Sequence, residues 1–265
     1  MRTMQSKLVI SILLMVNINL FSQQIKQKTK YLLATFHTQN TTINGISFGA
    51  YPQPKHKRFV RTNGIRLEFP GIGILGLFRN DFAAEKPDEI VNGINLSGGT
   101  MGDLAYNGLT VALFGQNGVI NNGVAIAGLS NVMNKSNGIQ LAILGNGTKV
   151  MNGLQISAWG NYAVKANGLQ ISQNNTAATI KGFQLGGFNS ADTLKGVQIG
   201  VFNNPETTDQ KFKGIQIGGG NYAAEFKGVQ IGIFNKSNKT HGLQIGLFNI
   251  NEKRSLPILN WNFKK

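Results

Sequence analysis

Residues 227–249 read KGVQIGIFNKSNKTHGLQIGLFN. The phrase Gly-aliphatic-Gln-Ile-Gly-x-Phe-Asn opens at Gly228 and opens again at Gly242, fourteen residues later. Working back along the chain, the same glycine recurs from Gly93 to Gly242 at spacings of 14 or 15 residues, with one spacing of 18. Looser copies stand at Asn44–Gly49 and Asn63–Leu67. Self-similarity held to this tolerance over about 150 residues marks a repeat architecture. The 18-residue spacing places a lengthened surface loop at NNPETTDQKFK, without loss of frame.

Each phrase reads as a strand. GVQIG alternates aliphatic and polar residues, carries β-branched side chains and is bounded by Gly and Asn. Two arrangements of such strands compete, a β-solenoid with one coil per repeat and an antiparallel β-barrel of the outer membrane. Asn-Gly ahead of many phrases is a hairpin signal, but from Gly182 onward the preceding residue is Lys181, Lys195, Lys213, Lys227 and His241, which such a turn disfavours. Val229 and Ile231 share one face of their strand, and Phe234 falls on the other unless the chain bends at Gly232. A bend at glycine is what a solenoid corner requires. The phrase is also shorter than the roughly 9–11 residues of a membrane strand. The barrel retains the terminal LPILNWNF, with its aromatic spacing, as an argument in its favour. The expected fold is therefore all-β, a solenoid of about eleven coils of 14–15 residues with terminal caps, and the barrel is the alternative.

Composition agrees with an unusual architecture. Glycine supplies 34 of 265 residues, charged residues only 14%, and the net charge is +15. Such a charge favours anionic partners such as lipopolysaccharide or acidic glycans, with nucleic acid the least expected. Arg2 and Lys7 followed by the apolar run Leu8–Phe21 and Ser22 read as a secretory signal peptide over 1–22. The chain has no cysteine, so neither disulfides nor lipid attachment through a thiol is expected. The remaining organisation reads as an irregular N-terminal region and cap over 23–92, a repeat domain over 93–250 and a C-terminal cap over 251–265.

The phrases GFQLGGFN, GVQIGVFN, GIQIGGGN, GVQIGIFN and GLQIGLFN, followed by RSLPILNWNF, resemble the bacterial surface-repeat family of exported Gram-negative proteins. The resemblance covers about residues 44–263. It implies a cell-envelope or outer-surface location and no particular activity. Thr110 and Ala125 depart from the pattern where Gln is usual.

In a solenoid each repeat position becomes a column of side chains about 4.8 Å apart. The Gln column, including Gln184, Gln198, Gln216, Gln230 and Gln244, reads as an outward ladder of hydrogen-bonded amides, or as a regular polar face for a glycan. The closing Asn column reads as a corner ladder, and the aromatic column (Phe114, Trp159, Phe188, Phe202, Phe234, Phe248) as core. The Lys column (Lys181, Lys195, Lys213, Lys227) is either a solvated edge or a stripe for an anionic polymer. Lys55–Arg58 with Arg61 reads as an exposed basic loop. Three scattered histidines and eleven carboxylates show neither metal-ligand spacing nor a catalytic constellation. No enzyme, metal or cofactor is expected. The function this predicts is a surface scaffold or binding module for an anionic polymer or glycan.

Overall fold

A computed structural model describes residues 27–50, 58–73, 75, 82–204 and 210–263; the expected signal peptide over 1–22 lies outside them. Among the described residues, twelve strands form one continuous sheet in sequence order. They are β1 (Lys28–Thr35), β2 (Thr41–Gly49), β3 (Val60–Glu68), β4 (Glu89–Ser97), β5 (Leu104–Ala112), β6 (Gln116–Ala127), β7 (Ser130–Ala142), β8 (Gly145–Ser157), β9 (Gly160–Ile171), β10 (Asn174–Asn203), β11 (Lys211–Ile250) and β12 (Ser255–Asn262). Pairing is parallel from β1 through β11, each residue facing its counterpart one repeat away, as Gln140 faces Gln155 and Gly196 faces Gly214. This is a β-solenoid of about a dozen coils, not a barrel. β12 runs antiparallel to β11 and covers the last coil.

The frame starts earlier than the spacing of the phrases suggests. The expected irregular region over 23–92 holds β1 to β3 and the start of β4, and Asn44, Asn63 and Asn92 align in consecutive coils. The connections between these coils are longer than later ones, which hides the period in the sequence. Parallel pairing constrains only the strands, so a loop can lengthen without moving the register.

Numbering the repeat from the residue before the opening glycine gives a simple cross-section. Position 1 is Asn, Lys or His, position 2 the glycine, position 4 the Gln and position 9 the closing Asn. Positions 4, 9, 11 and 14 point inward, as Gln216, Asn221, Ala223 and Phe226 illustrate; all four are at most 2% exposed. Positions 3, 5, 7 and 8 point outward.

The opening glycine is dictated by sterics. From Gly45 to Gly228 the glycines of this column take φ between +132° and +149°, a region that L side chains avoid. A Cβ on Gly196 would lie 1.8 Å from the carbonyl oxygen of Gly182, the glycine one coil back. Gly196→Ala is therefore expected to destabilise the protein by roughly 3 kcal/mol, from backbone strain and forced displacement of the adjacent coil. Gly147→Ala, whose new methyl would meet nothing nearer than Val132 at 3.8 Å, is expected to stay within about 1 kcal/mol of the parent. Denaturant melts of the two variants check the contrast.

Candidate functional site

The interior of the solenoid is built from amides. Gln140, Gln155, Gln170, Gln184, Gln198, Gln216, Gln230 and Gln244 are all 0% exposed. Each from Gln155 on donates its Nε2–H to the Oε1 of the Gln one coil back, at 2.7–3.0 Å. The outward reading of this column is thereby corrected. Gln184, Gln198, Gln216, Gln230 and Gln244, expected as a polar face for a ligand, are sealed in the core and reach no surface partner.

The closing Asn column forms a second buried ladder, with donation running the other way. Asn131 donates to Asn146 and the series continues to Asn249, at 2.7–3.1 Å. The same Nδ2 groups also donate to the position-5 carbonyl of the next coil, as Asn221 does to Ile231 at 2.9 Å. These bonds brace the corner that the sequence places there.

A third amide ladder lies on the outside. Asn44, Asn63, Asn92, Asn107, Asn122, Asn137, Asn152 and Asn167 occupy position 1, linked by bonds of 2.7–3.0 Å. These are the Asn residues of the Asn-Gly pairs. From the next coil the same position is Lys181, Lys195, Lys213 and Lys227, so the Lys column is the outer Asn ladder with its axial bonds replaced by charge.

All four lysines are exposed. Among the described residues none of them makes an ion pair or hydrogen bond, and the only lysine in an ion pair is Lys239, at 3.3 Å from Glu225 on the surface. Lys195, Lys213 and Lys227 form one wall of a groove of about 700 Å³. Thr193, Lys211, Glu225 and Lys239, at position 13, form the other wall, and Leu194, Phe212 and Phe226 its floor. Lys253, His241 and Glu252 close the C-terminal end. Six lysines against two glutamates give the groove a net charge of +4 with His241 neutral. Of the carboxylates that neighbour the Lys column in the sequence, Asp192 and Glu225 are described, while Glu206 and Asp209 lie outside the described residues.

The aromatic column is also relocated. Phe188, Phe202 and Phe234 are 42–45% exposed, Phe248 61% and Trp159 70%. The apolar core comes instead from position 14 and small residues, including Met151, Ile180, Leu194, Phe212 and Phe226.

The expected basic loop at Lys55–Arg58 is only partly described, and Arg58 within it is buried. Its Nη2 pairs with Glu89 Oε2 at 2.6 Å and its Nη1 donates to the Phe36 carbonyl. Glu89 also receives Arg66 Nε at 2.7 Å, while Arg66 Nη1 reaches Glu68 Oε2 at 2.6 Å. Arg66 stands at position 4, where later coils carry Gln, and its guanidinium lies 4.1 Å from the Phe36 ring centroid. Burial alone would lower the Arg66 pKa, but Glu89 and Glu68 hold it above its ordinary value. Burial pushes the Glu68 carboxyl up, against the pull of Arg66. Sequence reading missed this cluster. Its signal was a charged residue at inward parity in NGIRLE.

Among the described residues no group of three or more His, Asp or Glu side chains could hold a metal ion. No family model, curated protein or solved structure matches the chain.

Two stability predictions follow from this geometry. Gln216→Leu orphans the donor of Gln230 and the acceptor of Gln198, so a loss of about 2–4 kcal/mol is expected in denaturant melts; Lys213→Gln should stay within about 0.5 kcal/mol. Arg66→Gln leaves Glu68 and Glu89 buried without their shared cation and should cost about 3–5 kcal/mol at pH 7. Burial already raises the Glu68 carboxyl, and without the opposing pull of Arg66 its folded-state pKa stands further above the unfolded one. The folded state then binds more protons, and the deficit relative to the parent should shrink as pH falls from 7 toward 5. A deficit that stays constant with pH would contradict this account.

Proposed function

We propose that this protein is an exported, non-enzymatic binding module of the Gram-negative cell envelope, holding an anionic glycan or the polyanionic portion of lipopolysaccharide along its Lys column. The observation that carries this reading is the alignment of Lys181, Lys195, Lys213 and Lys227 at one repeat position. They stand on a rigid ladder, exposed and without partners among the described residues, with three of them lining the +4 groove. Charges held about 4.8 Å apart repel by roughly 0.9 kcal/mol per neighbouring pair in water. A polyanion lying along the column relieves that repulsion at every step, whereas an isolated anion relieves it once.

Rigidity matters to the binding. The ammonium groups move on flexible stems, but their Cα positions are fixed by parallel pairing, so the ordering cost on binding is limited to side chains. Specificity then comes from the match between the coil rise and the charge spacing of the polymer. The buried Gln ladder holds that rise constant and takes no direct part.

The reading is tested by titrating the protein with a uronic-acid or phosphorylated polysaccharide between roughly 50 and 200 mM salt, where counterion release dominates affinity. The parent should lose affinity steeply with salt. Lys195→Gln/Lys213→Gln/Lys227→Gln should bind at least tenfold more weakly at low salt, with a salt slope shallower by roughly two units. Equal affinity and equal slope in the two proteins would remove the Lys column from the function.

A further inference from the structure

The outward side of the solenoid carries an unbroken apolar surface that the anion-binding reading leaves unexplained. In all thirteen coils from Asn44 to Asn249, positions 3 and 5 are apolar, beginning with Ile46 and Phe48 and ending with Leu243 and Ile245. These side chains point away from the core: Phe48 is 46% exposed, Leu185 and Ile231 39%, Ile217 37%. Around the next corner positions 7 and 8 add Val201, Ile233 and Leu247 at 56–61%, the exposed phenylalanines, and Trp159. Thirteen coils extend over roughly 58 Å. Two aliphatic columns of that length already match the largest apolar patch of an ordinary soluble protein, roughly 300–600 Å², and the corner columns enlarge it further.

Charge identifies what covers this surface. None of the positions 1, 3, 5, 7 and 8 carries Asp or Glu in any of the thirteen coils. Position 1 lies on the same face of the strand as positions 3 and 5, so Lys181, Lys195, Lys213 and Lys227 border the aliphatic columns directly. A second copy of this chain, docked on the same face in any orientation, would offer those lysines no carboxylate. An anionic bilayer offers each of them a phosphate while receiving the aliphatic side chains among its acyl chains. The backbone is compatible with such contact. Strand N–H and C=O groups pair with adjacent coils, so the apolar face exposes no row of unpaired peptide groups to lipid.

We propose that the solenoid lies on its side at an anionic lipid bilayer surface, with the position 3 and 5 columns and the adjoining aromatic corner in the interface and the Lys column at headgroup level. The contact is peripheral, since a parallel solenoid lying flat spans nothing. It is separate from the polyanion reading, although both use the Lys column.

The test uses the full chain with vesicles of phosphatidylcholine, alone or with about a third phosphatidylglycerol. Co-sedimentation should show partitioning onto the anionic vesicles that weakens with salt. In a Trp261→Phe background, the emission of Trp159 should shift to the blue and be quenched by brominated acyl chains. Ile199→Thr/Ile217→Thr/Ile231→Thr keeps β-branched side chains at outward positions and should fold as the parent does by circular dichroism. Its partitioning should fall about tenfold or more, while its binding to the soluble polysaccharide stays unchanged. Undiminished partitioning of this variant would overturn the proposal, leaving only lysine-driven adsorption. A lipid-free dimer seen by light scattering, abolished by the same three substitutions, would also overturn it and assign the face to a second copy. Loss of polysaccharide binding alone in the lysine variant bears on the polyanion reading and leaves the bilayer contact standing or falling on the isoleucines.

Discussion

A buried amide has to find a donor and an acceptor, and in a narrow coil the nearest ones belong to the same residue one turn away. That requirement organises the molecule. Gln216 gives its proton to Gln198 and takes one from Gln230, so each rung is satisfied only if its neighbours are identical, in the same rotamer and at the strand spacing. Two such ladders run inside the solenoid with opposite donor directions, from Gln140 and Asn131 onward, and they fix the rise between those coils. The glycine column follows from the same constraint. With the coils held at that distance, the backbone at Gly182, Gly196 and Gly214 comes too close for any Cβ.

The consequence is a partial inversion of the usual protein interior. A coil of 14 residues encloses too little volume for facing rows of large apolar side chains, and the space is shared between amides, alanines and one column of larger residues such as Ile180, Leu194, Phe212 and Phe226. Lost rotamer freedom in the glutamines is offset by hydrogen bonds made where water is absent and unsatisfied groups are costly. The aliphatic and aromatic residues left over go outside. Their outward placement is a property of the fold from Ile46 to Phe248, not an accident of one loop.

The period, the strands, the corner at Asn and the solenoid itself were legible in the sequence, because they depend on spacing and on glycine. The facing of the strands was not. In GVQIG the pattern apolar-polar-apolar fits either orientation, and the ordinary preference for apolar burial selects the wrong one for Gln230 and Phe234. A clue was present in the constancy of the residues. Position 4 stays Gln in eight successive coils while its apolar neighbours vary among Val, Ile, Leu and Phe. An outward-facing position tolerates substitution, but a buried ladder tolerates only itself. The basic groove was half legible. The Lys column shows in the spacing, whereas Lys211, Lys239 and Lys253 join it through the coil cross-section, which no linear pattern displays.

The same logic explains why the chain changes character toward its N-terminus. Where the inner position-4 column passes from Gln140 through Ala125 to Thr110, Asn95, Arg66 and Ser47, the uniform ladder is broken, and mixed partners replace it: Asn95 donates to Thr110, and Thr110 to Gln116. At Arg66 the interruption becomes ionic. A guanidinium cannot accept a hydrogen bond, so it cannot be a rung; it must be met by carboxylates, and Glu68 and Glu89 supply them from its own coil and the next. Outside, the change runs in the opposite direction, from a neutral Asn ladder in the early coils to lysines in the late ones. The solenoid thus confines its buried charge to one end and displays a charged column at the other. The joining coils between Gln140 and Gln170 carry neutral amides at both positions, inside and out. A uniform scaffold would serve rigidity alone. A scaffold that gives up its outer ladder only in the C-terminal coils, where exposed lysines border both a groove and an apolar face, has given up axial hydrogen bonds for a surface.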